Sequence, residues 1–243
     1  MEKHIKRLRL DHAHNVRDLG GFETADGGMV RWNTLYRAGN LSEADSADWE
    51  RLKAAGVRSI LDLRSLSEIR SFPDRAPEGI SWQHTPLQTE EIDMNDLAGS
   101  AGKAFQKSLK EGYLNMVGQH THLLASALAR LTECLEQGAV LFHCSAGKDR
   151  TGIIASSVLY LCGVDREDII ADYEVSYTYN QNGLNASAGR MPGFKEILPL
   201  LQSDRENMEQ LLDFYGEMDL AARLAENGFS PEAQQRLREL TVV

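Results

Sequence analysis

The chain has 243 residues and is poor in cysteine and in positive charge. Its three cysteines, Cys134, Cys144 and Cys162, are odd in number and widely spaced. They therefore predict neither a disulfide framework nor a Cys-x-x-Cys metal pair, and they favour a reducing compartment. The 26 Lys and Arg residues face 36 Asp and Glu residues, a formal charge of −10. A basic face for bulk nucleic-acid binding is therefore not expected.

Membrane and export signals are also missing from the sequence. No run approaches the roughly 18 apolar residues of a membrane-spanning helix, so no integral membrane contact is expected. Residues 1–10 are basic but lack the apolar core of a signal peptide. These absences predict a cytoplasmic protein, although they do not exclude secretion by another route.

Strand and helix patterns alternate through the middle of the chain, and helices finish it. The predicted strands are 57–63, 80–84 and 139–143, and the predicted helices are 42–55, 123–135, 151–162 and a helical C-terminal part of about 194–243. Hydrophobic residues make up 42% of the chain, enough for one substantial core. This order predicts an α/β fold, with a mainly parallel central sheet flanked by helices, in one domain over 1–243.

Residues 86–118 are predicted to form an insertion in that domain. An acidic and glycine-rich stretch precedes Phe105, Leu109, Tyr113 and Met116, which recur at helical spacing. Such a helix would either cover the site as a lid or lie on the surface as an ordinary helix, and the sequence leaves both open.

Residues 143–152 are the most informative stretch, because a strand, a tight loop and a helix start follow one another there. Amides at a helix N-terminus bind anions, and an Arg six positions after Cys144 adds a planar fork for two phosphate oxygens. Small residues let the backbone approach the anion, and Gly147 can adopt a positive φ if the loop needs it. The predicted phosphate-binding residues are Ser145, Ala146, Gly147, Lys148 and Thr151, beside Arg150.

Cys144 is the predicted nucleophile of this loop. A helix N-terminus and a nearby cation lower a thiol pKa from about 8.5 to roughly 3.5–7.5, so we expect a thiolate. Thr151 is predicted to donate its hydroxyl to the sulfur, and His143 to brace the loop rather than transfer protons. Lys148 is either a point charge for phosphate or lipid headgroups, or a solvated residue at the rim.

Two carboxyl groups are candidates for protonating the leaving oxygen. Repulsion from the thiolate and the phosphate is expected to raise the pKa of Asp149, as a general acid requires. The alternative is Asp74, in a Phe-Pro-Asp segment that reads either as a mobile acid loop or as a structural turn. We favour Asp149, whose other possible role is to brace the loop by pairing with an arginine.

These residues resemble the Cys-x5-Arg signature of the protein-tyrosine phosphatase superfamily. Residues 15–21, 35–39 and 62–65 are similar to markers of its atypical bacterial branch, which carries Gly-Lys-Asp-Arg as residues 147–150 do. The resemblance implies a phosphatase fold, a cysteinyl-phosphate intermediate and no cofactor or metal. It also implies phosphotyrosine as substrate, sometimes phosphoserine, phosphothreonine or phosphoinositides, with inorganic phosphate as product and inhibitor.

The same resemblance supports Asp149 as the acid and places four further residues near the cleft. They are Arg17, Asp18, Asp62 and Arg64. Of these, Asp62 and Arg64 follow a predicted strand, and we interpret them as an ion pair that supports the phosphate loop rather than as direct ligands.

Rival functions have weaker support in the sequence. A metal site is suggested by His-x-His at 12–14 and at 120–122, but no further ligands with convincing spacing complete it. A nucleotide-binding P-loop would need Gly at 142 and a hydroxyl at 149, where Phe and Asp stand. A rhodanese-like sulfurtransferase and a non-catalytic phosphate-binding adaptor stay as alternatives.

Overall fold

A computed structural model describes residues 4–87, 112–188 and 202–243, without the side chains of 182–188. Its sheet has five strands: β1 (Arg17–Asp18), β2 (Leu35–Ala38), β3 (Val57–Asp62), β4 (Ser81–His84) and β5 (Ala139–His143). Their order is β1-β2-β5-β3-β4, and β1 pairs antiparallel with β2 while the other pairs are parallel. The predicted mainly parallel sheet is confirmed, and β5 lies at its centre.

Helices follow or separate the strands, as predicted. They are α1 (Ser46–Ala54), α2 (Leu66–Ser71), the described part of α3 (112–119), α4 (Thr121–Leu135), α5 (Asp149–Leu161), α6 (Arg166–Ala188), α7 (Arg205–Glu217), α8 (Leu220–Glu226) and α9 (Pro231–Thr241). Within the described ranges, no helix is both long and apolar enough to cross a membrane. The proposed lid depends on residues 88–111, which lie outside the described part.

Both faces of the sheet are covered, which explains the continuous apolar run of β5. Val140 and Phe142 belong to the larger core, together with Leu128 of α4. Leu141 points into a smaller core on the other face, where Trp49 of α1 lies. A strand buried on both faces carries apolar residues at successive positions instead of alternating ones.

The helices α9 and α7 begin in different ways. Ser230 caps α9 by accepting a hydrogen bond from the Ala233 amide, with Pro231 at the first helical position. Asp204 occupies the cap position of α7 without a side-chain hydrogen bond. The Ser203 hydroxyl instead donates to the Glu174 carbonyl at 2.7 Å and so ties the chain before α7 to α6.

Candidate active site

The loop 144–148 leaves the carboxyl end of β5 and enters α5 at Asp149. Cys144 is only 2% exposed. The residue before the helix, Lys148, makes no side-chain capping bond, so it does not block the amides of the first turn. The helix begins at Asp149, two residues before the predicted start at 151, so its N-terminus lies closer to Cys144.

The loop's carbonyl groups are held from outside by a ring of donors. Asn15 Nδ2 donates to Ala146 O at 3.1 Å and to Gly147 O at 2.9 Å. Three further contacts of 2.9 Å run from Asn180 Nδ2 to Ala146 O, from Arg37 Nη2 to Gly147 O and from the Asn40 amide to Ser145 O. Because the peptides are trans, each following N–H points away from its neighbouring carbonyl. The amides of residues 146–148 therefore face away from this ring, as an anion cradle requires.

Gly147 is required by both conformation and space. Its φ is +65°, the left-handed region expected for it, and a Cβ there would lie 2.3 Å from the Ala38 carbonyl oxygen. The loop therefore packs backbone against backbone on the end of β2, and a side chain at 147 would push it away.

Arg150 is held by Glu68, a residue that the sequence analysis did not identify. Glu68 Oε2 lies 2.6 Å from Arg150 Nη1, and Oε1 lies 2.7 Å from Nη2. The Ser145 hydroxyl also donates to Glu68 Oε1. Burial raises the pKa of the Glu68 carboxyl, but the bonds from Arg150 and Ser145 outweigh it and hold that pKa at about 2. The signal that could have found Glu68 is a capping box with Ser65, which the structure shows.

A buried ion cluster anchors the outer ring of donors. Asp172 of α6 accepts from Arg17 Nε at 2.8 Å and from Arg37 Nη1 at 2.6 Å. Both arginine side chains are 1% exposed. Burial raises the pKa of Asp172, but the two arginines outweigh it and hold that pKa far below its usual range. Arg17 also donates to Asn15 O at 3.3 Å, to Asp172 O at 2.7 Å and to Ser176 Oγ at 2.9 Å. It thus supports the loop through Asn15 and, by way of Asp172, through Arg37.

Asp74 has a structural position under the loop. Its side chain is fully buried, with Oδ2 2.9 Å from both Arg64 Nη2 and His143 Nε2. Arg64 also pairs with Asp62 at 2.7 Å, as predicted for a supporting ion pair. His143 Nδ1 lies 3.1 Å from the Cys144 carbonyl oxygen, consistent with a bracing role. These contacts favour the turn interpretation of Asp74 over the mobile acid loop.

Two groups in the described ranges have metal-ligand composition, and both are already engaged. Asp62, Asp74 and His143 form one group, but the Arg64 guanidinium contacts both carboxylates. The other group is His12, Asp45 and Asp48. Asp48 accepts the backbone amides of residues 11 and 12, so it fixes the chain entering the fold. His12 of the first His-x-His pair therefore meets two carboxylates that the sequence spacing did not indicate, whereas His14, His120 and His122 belong to neither group in the described ranges.

Asp149 lies at the start of α5 with its side chain 25% exposed. Tyr113 of α3 donates its hydroxyl to Asp149 Oδ1, and Lys148 Nζ lies 3.4 Å from the same oxygen. The solvated-rim interpretation of Lys148 is wrong, because the residue is 2% exposed and its Nζ donates to Gln202 O at 2.9 Å. From the sequence, Tyr113 was interpreted only as an apolar helix position, because helical spacing does not indicate what its hydroxyl contacts.

Two predicted contacts are not formed in the described structure. The Thr151 hydroxyl is buried without a hydrogen-bond partner there, so the expected bond to the Cys144 sulfur is absent. Asp18 does not contact the loop. Its carboxylate accepts the amides of Gly20 at 2.7 Å and Asn33 at 2.6 Å, so it braces the turn ahead of β2. The cause is strand direction, since Asp18 pairs with Tyr36, two residues before the carboxyl end of β2.

Comparisons with known proteins identify the family of this chain. The model of the tyrosine phosphatase family matches residues 8–242. A Cupriavidus necator protein with "tyrosine-protein phosphatase" in its name is 33% identical over 202 residues, covering 80% of this chain and 73% of that protein. The "Triple specificity protein phosphatase PtpB" of Mycobacterium tuberculosis is 32% identical over 188 residues, 68% of this chain and 67% of that protein. A Nostoc commune "Tyrosine-protein phosphatase" is 36% identical over 150 residues, 60% of this chain and only 49% of its own length.

Proposed function

The chain belongs to the tyrosine phosphatase family, and from that premise we propose that it hydrolyses phosphotyrosine through a cysteinyl-phosphate intermediate on Cys144. The observation that carries this proposal is the loop whose carbonyls are tied outward, with Cys144 at one end and Arg150 at the other. Inward amides suit a phosphate dianion, and the guanidinium adds charge where the phosphoryl group transfers.

In the first proposed step the Cys144 thiolate attacks phosphorus and the bond from phosphorus to the tyrosine oxygen breaks. Asp149 gives its proton to the departing oxygen, so tyrosine leaves neutral. In the second step water attacks the cysteinyl phosphate, returns a proton to Asp149 and releases inorganic phosphate and the thiolate. No metal or cofactor is needed in this scheme.

Asp149 is a better candidate acid than Asp74 on positional grounds. Asp149 is partly exposed at the helix N-terminus, whereas the Asp74 carboxylate is fully buried between Arg64 and His143. A general acid must reach the leaving oxygen directly or through one water. Asp74 would first have to leave the Arg64 guanidinium and the His143 ring.

Phosphotyrosine is the proposed main substrate, and phosphoserine, phosphothreonine and phosphoinositides are proposed only as secondary ones. The name of the Mycobacterium tuberculosis relative speaks for broad specificity. The burial of Lys148 argues against phosphoinositides, because its amine donates to the Gln202 carbonyl and lies near Asp149 instead of facing a headgroup in solvent. Two further lysines that could bind a headgroup, Lys103 and Lys107, lie outside the described residues. We also propose that 1–243 is one domain, which is supported by the family match over 8–242.

The decisive experiment measures hydrolysis of p-nitrophenyl phosphate and a phosphotyrosine peptide without added metal and with a chelator. Cys144→Ser is expected to abolish turnover while inorganic phosphate still binds, as measured by calorimetry. Wild-type-like turnover by that variant would refute the nucleophile. Asp149→Asn is expected to remove the basic limb of the pH–rate profile, and loss of that limb in Asp74→Asn alone would reverse the choice of acid. Transfer of sulfur from thiosulfate to cyanide would instead support the sulfurtransferase alternative.

A further inference from the structure

We propose that the Tyr113 hydroxyl positions the Asp149 carboxyl group and leaves the transferable proton on Asp149 Oδ2. The inference rests on the proposed role of Asp149 as general acid. Tyr113 would act through Asp149 and would not touch the substrate, so it is a positioning residue of the proposed reaction.

Two donors converge on one oxygen of the carboxyl group. The Tyr113 hydroxyl donates to Asp149 Oδ1, and the Lys148 amine lies 3.4 Å from the same atom. A proton placed on Oδ1 would point at groups that can only donate or already donate there. The carboxyl proton is therefore more stable on Oδ2, which has no hydrogen-bond partner among the described residues. The Asp149 side chain is 25% exposed, so a leaving group can approach its carboxyl group, and Oδ2 is the oxygen that these two donors leave open.

The Tyr113 hydroxyl also contacts a second phenol, that of Tyr173. The hydroxyls of Tyr113 and Tyr173 are 3.1 Å apart, and their rings meet edge to face at 6.4 Å. A phenol has one proton, and Tyr113 gives its own to Asp149, so Tyr113 accepts from Tyr173. The hydroxyls thus form a chain from Tyr173 through Tyr113 to the carboxyl group, and each bond polarises the next.

Burial keeps the Tyr113 donor protonated. The residue is 5% exposed, and burial, with the neighbouring Asp149 carboxylate, raises the pKa of the phenol well above its ordinary value. Tyr113 also packs in the larger core, so the ring alone has a structural role. The two roles separate in Tyr113→Phe, which keeps the ring and removes only the hydroxyl.

The test compares kcat/KM for aryl phosphates whose leaving groups range from 2,4-dinitrophenol, which departs without protonation, to phenol, which needs the acid. In Tyr113→Phe we expect about a tenfold loss for phenyl phosphate and almost none for dinitrophenyl phosphate, a fraction of the ~10²–10⁴-fold that a general acid supplies. The matched control is Tyr215→Phe, because that phenol bonds Ser156 at 3.0 Å and Ser157 at 2.9 Å in the core. In this control, the change in kcat/KM relative to wild type is expected to be the same for every leaving group.

Asp149→Asn, measured with the same substrates, separates failure of this inference from failure of the proposed function. If Asp149→Asn loses the same factor for every leaving group, its role as acid is wrong and the inference falls with it. If the loss of kcat/KM depends steeply on the leaving group in Asp149→Asn but not in Tyr113→Phe, only the inference about Tyr113 is wrong. The double variant is expected to be no slower than Asp149→Asn, because Tyr113 acts through that carboxyl group.

A second variant covers the case in which Tyr113→Phe does not fold, as judged by circular dichroism. Tyr173→Phe keeps the bond between Tyr113 and Asp149 but removes the donor that polarises it. We expect a smaller loss in the same direction, confined to poor leaving groups. A uniform response to all leaving groups would contradict the hydroxyl chain.

Discussion

Glu68 holds Arg150 through two parallel contacts, 2.6 Å from Oε2 to Nη1 and 2.7 Å from Oε1 to Nη2. The two residues are 82 positions apart in the chain. Glu68 belongs to the short helix α2 after β3, and it fixes the guanidinium of Arg150 in the first turn of α5, after β5. These bonds use two of the five N–H donors of the guanidinium. The pairing orients the fork before phosphate arrives, which lowers the cost of ordering it on binding.

Glu68→Gln is expected to weaken phosphate binding and catalysis together. The amide keeps the shape but loses the charge that pairs with Arg150, and hydrogen bonds to charged groups are worth about 1.5–3 kcal/mol. We therefore expect kcat/KM for phosphotyrosine to fall by about 10- to 100-fold. The control is Glu50→Gln, an exposed residue paired with Lys53, which should leave kcat/KM unchanged. Equal rates for the two variants would show that Glu68 does not orient the guanidinium.

Acid stability provides a second test of the same carboxylate. The pKa of Glu68 is depressed to about 2 from an ordinary 4.5, so its contribution is fully present above pH 4.5 and is lost as the pH falls towards 2. The contribution is on the order of 3 kcal/mol. Urea unfolding between pH 6 and pH 3 should show wild type losing more stability than Glu68→Gln. Parallel curves would contradict the assigned shift, since other depressed carboxylates are common to both proteins.

The sequence predicted the parts of the site that are close together in the chain. Cys144, Gly147 and Arg150 lie within seven residues, where strand end, loop and helix start follow from local pattern. A glycine at 147 and an apolar run before Cys144 have direct physical causes in positive φ and in burial of β5 on both faces.

The supporting shell could not be predicted in this way, because its contacts join distant segments. Asp172 meets Arg17 across 155 positions and Arg37 across 135. Tyr113 was interpreted as one member of an apolar helix stripe, and nothing in helical spacing indicates that its hydroxyl meets Asp149. The resemblance placed Asp18 near the cleft, but its carboxylate accepts the amides of Gly20 and Asn33, while Arg17 beside it reaches Asp172.

Asp172→Asn is expected to destabilise the fold strongly. Its carboxylate balances Arg17 and Arg37, each 1% exposed, and breaking a buried pair leaves uncompensated charge at a cost of about 3–5 kcal/mol. Urea unfolding should show that loss, together with a lower affinity for inorganic phosphate, because Arg37 holds the Gly147 carbonyl. Asp168→Asn, an exposed position on the same helix, should change stability by less than about 0.5 kcal/mol. A loss of similar size in both variants would contradict the role of the ion cluster.

Comparing Gly147→Ala with Gly27→Ala separates the effect of distorting the phosphate loop from the ordinary cost of a positive φ at a residue other than glycine. At 147 the new Cβ would lie 2.3 Å from the Ala38 carbonyl oxygen, whereas at Gly27, where φ is +87°, nothing lies within 4 Å. Gly27→Ala should therefore lose only about 1–2 kcal/mol of stability, the cost of a left-handed residue, and keep its phosphatase activity.

Gly147→Ala adds a backbone clash that displaces the amides facing the anion. We expect at least about a 100-fold loss of kcat/KM, in line with removing an oxyanion donor, together with loss of detectable phosphate binding. A Gly147→Ala protein with normal turnover would show that the loop tolerates displacement from β2, and the amide cradle would then not be the source of phosphate binding.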